Sequence, residues 1–225
     1  MSASLFALSA NASTLFDYTT GNLGQGFGVN SIVESVSGET VTATAWSVPS
    51  NSNSTFQTAT LGQYSGLGLG VCNQAELAAA GGCTAPQHEV DDSGQFDFVL
   101  FQFSSAVTSV TITIDPVCNC NTDASYYVGN GLNPSVDTLA ELGTATTSDQ
   151  TTGDTTRTVT LTGLGAGVTS VLFGASILGT DNFFKIQSLS VTEATTNTST
   201  TPEPATFGLA GLALIGLGMI GRKRA

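Results

Sequence analysis

The sequence predicts an all-β protein, a jelly-roll-like β-sandwich, with a single hydrophobic helix appended at its C-terminus. Three observations predict it. Between residues 15 and 193, apolar residues recur at period two or in short β-branched runs, with turn chemistry between them. Helical spacing is confined to two short stretches, residues 74–80 and 135–142, which read as connections. The one long apolar run without alternation lies at the very end of the chain. Many short strands with no alternating helices favour stacked sheets over a βαβ architecture.

Taken in order, residues 1–12 end in Ala10-Asn11-Ala12, which has the form of a signal-peptidase site after an apolar stretch. They read as the remnant of a secretion signal, with the mature protein starting at Ser13. Residues 13–193 then form the ectodomain. Strands are expected at 15–20, 29–36, 40–48 and 56–61, followed by Gly66-Leu67-Gly68-Leu69-Gly70, where a bulge or close backbone approach is expected. The strongest pair is 95–103 and 107–114, joined by a turn at Ser104-Ser105-Ala106. Phe96, Phe98 and Leu100 share one face of the first strand, and Val99, Phe101 and Phe103 the other, so it should be central and covered on both sides. Further strands are expected at 125–128, 156–161, 168–173 and 183–191. Trp46, the only tryptophan, should fill the core. Residues 194–201 are a Thr-rich linker.

The tail, residues 202–225, opens on Pro202-Glu203-Pro204, which two prolines keep out of a helix. An uncharged apolar run follows, then Arg222-Lys223-Arg224. As a helix the run from Thr206 to Gly221 spans roughly 24 Å, a little short of a bilayer core, with the basic residues able to snorkel. This order of features resembles the PEP-CTERM sorting signal of Gram-negative bacteria. The resemblance implies an exported protein whose precursor is held in the inner membrane by the tail helix. It further implies processing by an exosortase on the way to the cell envelope or the extracellular matrix, with exopolysaccharide as a prospective partner.

Charge narrows the partners. The formal net charge is −12, and three of the five basic residues lie in the tail, leaving Arg157 and Lys185 before it. Such a surface repels nucleic acid and anionic membranes. The four cysteines, Cys72, Cys83, Cys118 and Cys120, read as disulfides in an exported chain. The local pairing, Cys72–Cys83 with Cys118–Cys120, needs the least rearrangement, but the tight Cys-x-Cys ring leaves crossed pairing open.

Acidic loops flank the best strands, and carboxylate oxygens at loop tips suit Ca²⁺. The expected ligands are Asp91, Asp92, Asp115 and Asp123, set against a solvated turn that caps its own backbone. His88, the only histidine, has no positioned nucleophile and reads as an exposed loop residue. Asp91 with Asp92, or Asp97 with Asp115, would be the pairs for glycosidase chemistry, which needs a cleft between them. Tyr126, Tyr127 and Asn130 are the candidate sugar-contacting group. The sequence therefore favours a non-catalytic structural or adhesive matrix protein, then a carbohydrate-binding module, and last a secreted hydrolase.

Overall fold

A computed structural model describes residues 12–20, 29–49, 54–79, 83, 88–148 and 152–194. The expected signal remnant (except Ala12), most of the linker and the tail helix lie outside them. In chain order the elements are β1 (Ser13–Asp17), β2 (Ser31–Val36), β3 (Glu39–Pro49), β4 (Gln57–Thr58), β5 (Thr60–Tyr64), β6 (Gly68–Cys72), α1 (Gln74–Ala78) and β7 (Val90–Asp91). They continue with β8 (Gln95–Pro116), β9 (Ala124–Gly129), β10 (Thr146–Ser148), β11 (Arg157–Thr160), β12 (Val168–Ala175) and β13 (Phe183–Glu193). The described residues are thus all-β, joined in one antiparallel sheet.

The sheet is organised on β8, which is 22 residues long. Its first half pairs with β3 and β12, and its second half with β13 and β11. This corrects the hairpin expected at Ser104-Ser105-Ala106. None of those residues has the positive φ that tight hairpin turns require, so the chain bends without reversing. The bend is held from the β2–β3 side. Ser104 Oγ accepts from Thr40 N at 2.9 Å, and the buried Glu39 carboxylate accepts from Ser105 N at 3.2 Å. Beyond it Val107 and Val110 both face inward, three residues apart, and the register against β13 slips there. One extra residue moves the inward set from odd to even positions, as a β-bulge does.

That switch lets one strand serve two layers of core. Val99, Phe101 and Phe103 from the first half meet Val110, Ile112 and Ile114 from the second, with Phe173, Phe184 and Leu189 among them. On the opposite face, Phe98 and Leu100 pack with Trp46, Phe56, Tyr127 and Leu172. The first half of β8 is therefore covered on both sides, as its sequence predicted. Each such fully buried large side chain contributes about 1.5–3 kcal/mol. The second half has an open outer face, where Ser188, Thr113 and Thr158 stand in register across three strands, as do Ser190, Thr111 and Thr160. Thr111 and Thr160 are hydrogen-bonded to each other.

One further expectation is corrected, and another is met. Residues 135–142 form turns rather than a helix, because Asn133 Oδ1 captures Ser135 N and Oγ, and Glu141 folds back onto Thr138. The Gly66–Gly70 stretch contributes to a strand, β6, fully buried along its length. A Cβ at Gly68 would meet the Ile186 carbonyl oxygen at 2.3 Å, and one at Gly70 the His88 carbonyl oxygen at 1.9 Å. Close approach is what these glycines provide.

Candidate functional site

The strand ends gather the acidic residues into separate groups. The first is built around α1. Asn73 and Glu76 form a capping box: Asn73 Oδ1 accepts from Glu76 N, and Glu76 Oε2 accepts from Asn73 N, each at 3.0 Å. The remaining amide group of Asn73 donates to Asp97 Oδ1 at 3.2 Å. Asn73 and Asp97 are fully buried, and Asp91 is 3% exposed. One carboxylate oxygen from each of Glu76, Asp91 and Asp97 lies within 4.8 Å of the other two.

Burial sets the electrostatics here. It pushes the Asp91 carboxyl up to about 8, with the nearby Glu76 charge adding to it and a hydrogen bond from Ser93 N opposing. Burial likewise holds Asp97 well above the usual carboxylate range, reinforced by Asp91 and Glu76. Lys185 is buried nearby, its Nζ donating to the His88 carbonyl at 2.6 Å and lying 4.5 Å from the Tyr64 ring centroid. Desolvation lowers its pKa against the pull of Glu89, Asp115 and Asp91. His88 is not an exposed loop residue: only 16% of its side chain is open, and its Nδ1 sits 3.5 Å from Glu76 Oε1.

The second group centres on Asn182, which is fully buried. Its backbone N–H and Nδ2 donate to the two Asp92 oxygens at 3.1 and 2.7 Å, and its Oδ1 accepts from Asp123 N at 2.8 Å. Asn121 Nδ2 donates to Asp123 Oδ2. Asp115 lies elsewhere, opposite Lys185 in the ladder and accepting from Thr156 Oγ1. Of the four aspartates named from the sequence, Asp92 and Asp123 are thus linked through Asn182, Asp91 belongs to the α1 group, and Asp115 stands apart. Sequence reading missed Asn73, Glu76 and Asn182 as site residues. The Asn73-x-x-Glu76 spacing of a capping box was the available signal for two of them; nothing local marks Asn182.

The tyrosines differ from expectation. Successive residues of β9 face opposite ways, yet Tyr126 and Tyr127 are both buried, because both faces of that strand are covered. Tyr126 Oη accepts from Thr162 N at 3.1 Å, and Tyr127 packs beside Phe98. Asn130 is exposed, with its Oδ1 accepting from Thr169 N. No exposed aromatic platform forms from this pair. A surface depression of about 440 Å³ is lined by Glu89, Val117, Cys118, Cys120 and Phe183, and Phe183 lies opposite Asp91 in the β7–β13 ladder.

The cysteines adopt the local connectivity, Cys72 with Cys83 and Cys118 with Cys120. Disulfides fit an oxidising compartment outside the cytoplasm. Residues 200–224 match the model of the PEP-CTERM protein-sorting motif. The chain carries a PEP-CTERM sorting signal. The signal indicates an exported protein processed by an exosortase. The β domain ends at Ala194, before the matched residues. No curated protein matches the chain. Among the described residues, no helix is long and apolar enough to cross a membrane.

Proposed function

We propose that this PEP-CTERM protein is a non-catalytic component of the cell surface or extracellular matrix, structural or adhesive in an exopolysaccharide matrix. Its precursor is held in the inner membrane by residues 202–225 until the exosortase acts. The observation that carries this reading is the sorting motif at residues 200–224. The β domain supports it in two ways. The carboxylates of Glu76, Asp92 and Asp123 are engaged within the fold by a helix cap and amide bridges. Its open sheet face offers rows of Ser and Thr hydroxyls, which hydrogen-bond to sugar hydroxyls without demanding one sequence of sugars.

Replacing Pro202, Glu203 and Pro204 by Ala, in a host with an exosortase, tests the sorting step. The variant should stay full-length in the inner-membrane fraction, and release at the wild-type rate would overturn the reading. The adhesive role is tested separately by sedimenting released protein with isolated exopolysaccharide. Wild type should co-sediment, and Thr111→Glu with Ser190→Glu should not. If wild type also stays in solution, adhesion is excluded while sorting stands.

A further inference from the structure

Three carboxylates closed into one site repel each other unless something positive shares it. The geometry points to a divalent-cation site of the calcium class formed by Glu76, Asp91 and Asp97. Calcium binds oxygen at about 2.3–2.6 Å, so two oxygens on opposite sides of one ion lie about 4.8 Å apart. The three donor oxygens fall within 4.8 Å of one another, the span a single calcium ion reaches. Magnesium demands a strict octahedron at about 2.0–2.1 Å and gives up its waters reluctantly, so buried carboxylates without room for those waters favour calcium.

A second observation comes from Asp97. Its side chain is fully buried, and its Oδ2 has no hydrogen-bond partner. Native interiors satisfy such atoms, and an orphaned carboxylate oxygen asks for an ion. The other Asp97 oxygen is fixed by Asn73 Nδ2, which orients the carboxylate. Asp91 is oriented in the same way by Ser93 N at 2.7 Å. These donors leave lone pairs on each carboxylate for a metal. Glu76 is the least buried of the three, and its side chain, 18% open, marks the way in.

No lysine or arginine among the described residues forms an ion pair with any of the three carboxylates. Lys185, a buried cation nearby, donates a hydrogen bond to the His88 carbonyl instead. The Cys72–Cys83 disulfide brackets α1 and brings its sulfurs within 4.8 Å of a Glu76 oxygen. Sulfurs in a disulfide are not thiolates and do not replace oxygen donors. Their part is to hold Glu76 over Asp91 and Asp97. This site differs from the loop-tip set expected from sequence, with which it shares only Asp91.

The test uses the full chain with its disulfides intact, stripped with EDTA and titrated with CaCl₂ by calorimetry at neutral pH. One ion should bind per chain, and the melting temperature should rise with Ca²⁺. Mg²⁺, or NaCl at matched ionic strength, should reproduce little of the gain. Asp97→Asn and Glu76→Gln should each weaken binding by at least about tenfold, while Asp92→Asn should leave it within about twofold. Should Asp97→Asn fail to fold by circular dichroism, Glu76→Gln decides alone. The proposal is overturned by absence of saturable binding, by wild-type affinity in the folded variants, or by loss of binding in Asp92→Asn.

Discussion

Asp91 and Asp92 are neighbours in sequence and face opposite problems in the fold. Asp91, at the end of β7, points inward to Glu76 and Asp97, so its neighbours are other acids. Asp92, one residue on, meets the amide hydrogens of Asn182 and is satisfied by them. Burial raises both carboxyls, but for Asp92 the Asn182 bonds oppose the rise, while for Asp91 further acids add to it. The difference teaches that acidity in a sequence is not itself a site. What matters is whether the buried neighbours are amide donors, which complete the group, or other carboxylates, which leave it in need of a proton or a metal.

The largest expected effect is on the α1 group when no metal is supplied. Asp91 has a folded pKa pushed up to about 8, above its unfolded value near 3.8, and Asp97 moves in the same direction. The groups facing Asp91 are Glu76, Glu89, Asp92 and Asp97, with Lys185 as the opposing charge. A raised carboxyl binds its proton in the folded state, so its stabilisation is complete below the unfolded pKa and is lost as pH rises through the folded one. In EDTA, denaturation midpoints should therefore fall between pH 4 and about 8. Each such group contributes a slope on the order of 1.4 kcal/mol per pH unit. A flat profile in EDTA would show that the cluster holds no such protons.

The Asn182 group should break differently. Asn182→Ala removes the side-chain donor to Asp92 and the acceptor for Asp123 N in one change, inside a fully buried position. Leaving those partners unmet should cost about 3 kcal/mol at any pH where Asp92 is ionised. Chemical denaturation measures this, and the loss should be the same with Ca²⁺ or EDTA. A calcium-dependent loss would mean the two groups are one.

How much of this the sequence disclosed follows from the range of each interaction. Strand identity is local: apolar residues on both faces of 95–103 declared a central strand, and the structure buries both its faces. The bend at Ser104-Ser105-Ala106 was read as a reversal, because small polar residues signal a turn while only backbone conformation tells a turn from a bulge. Asp91 was marked as an acid near a strand end, but its partner Glu76 arrives from a helix on another loop. Asn182 is about 90 residues from Asp92, and no spacing rule carries that distance. Tyr126 and Tyr127 looked half-exposed because a strand has two faces. The turns at 132–145 that help cover the second face could not be anticipated from β9 itself.

The smallest expected effect separates the two disulfides, one beside each acidic group. Cys72–Cys83 closes a loop of sequence separation 11 around α1, whereas Cys118–Cys120 closes one of separation 2 just before Asn121 and Asp123. In the chain-entropy model the stabilisation grows with the logarithm of loop length. Replacing the first pair by Ser should cost about 2–3 kcal/mol and replacing the second about 1–2 kcal/mol. That gap of about 1 kcal/mol is within reach of denaturant titration. The sharper separation is in metal binding. Losing the first disulfide frees the end of the loop that carries Glu76, so Ca²⁺ affinity should fall with stability. Losing the second leaves Glu76, Asp91 and Asp97 in place, so affinity should hold while stability drops. Equal affinity in both double-Ser variants would mean the capping box alone positions Glu76, and that the disulfide stabilises the fold without shaping the site.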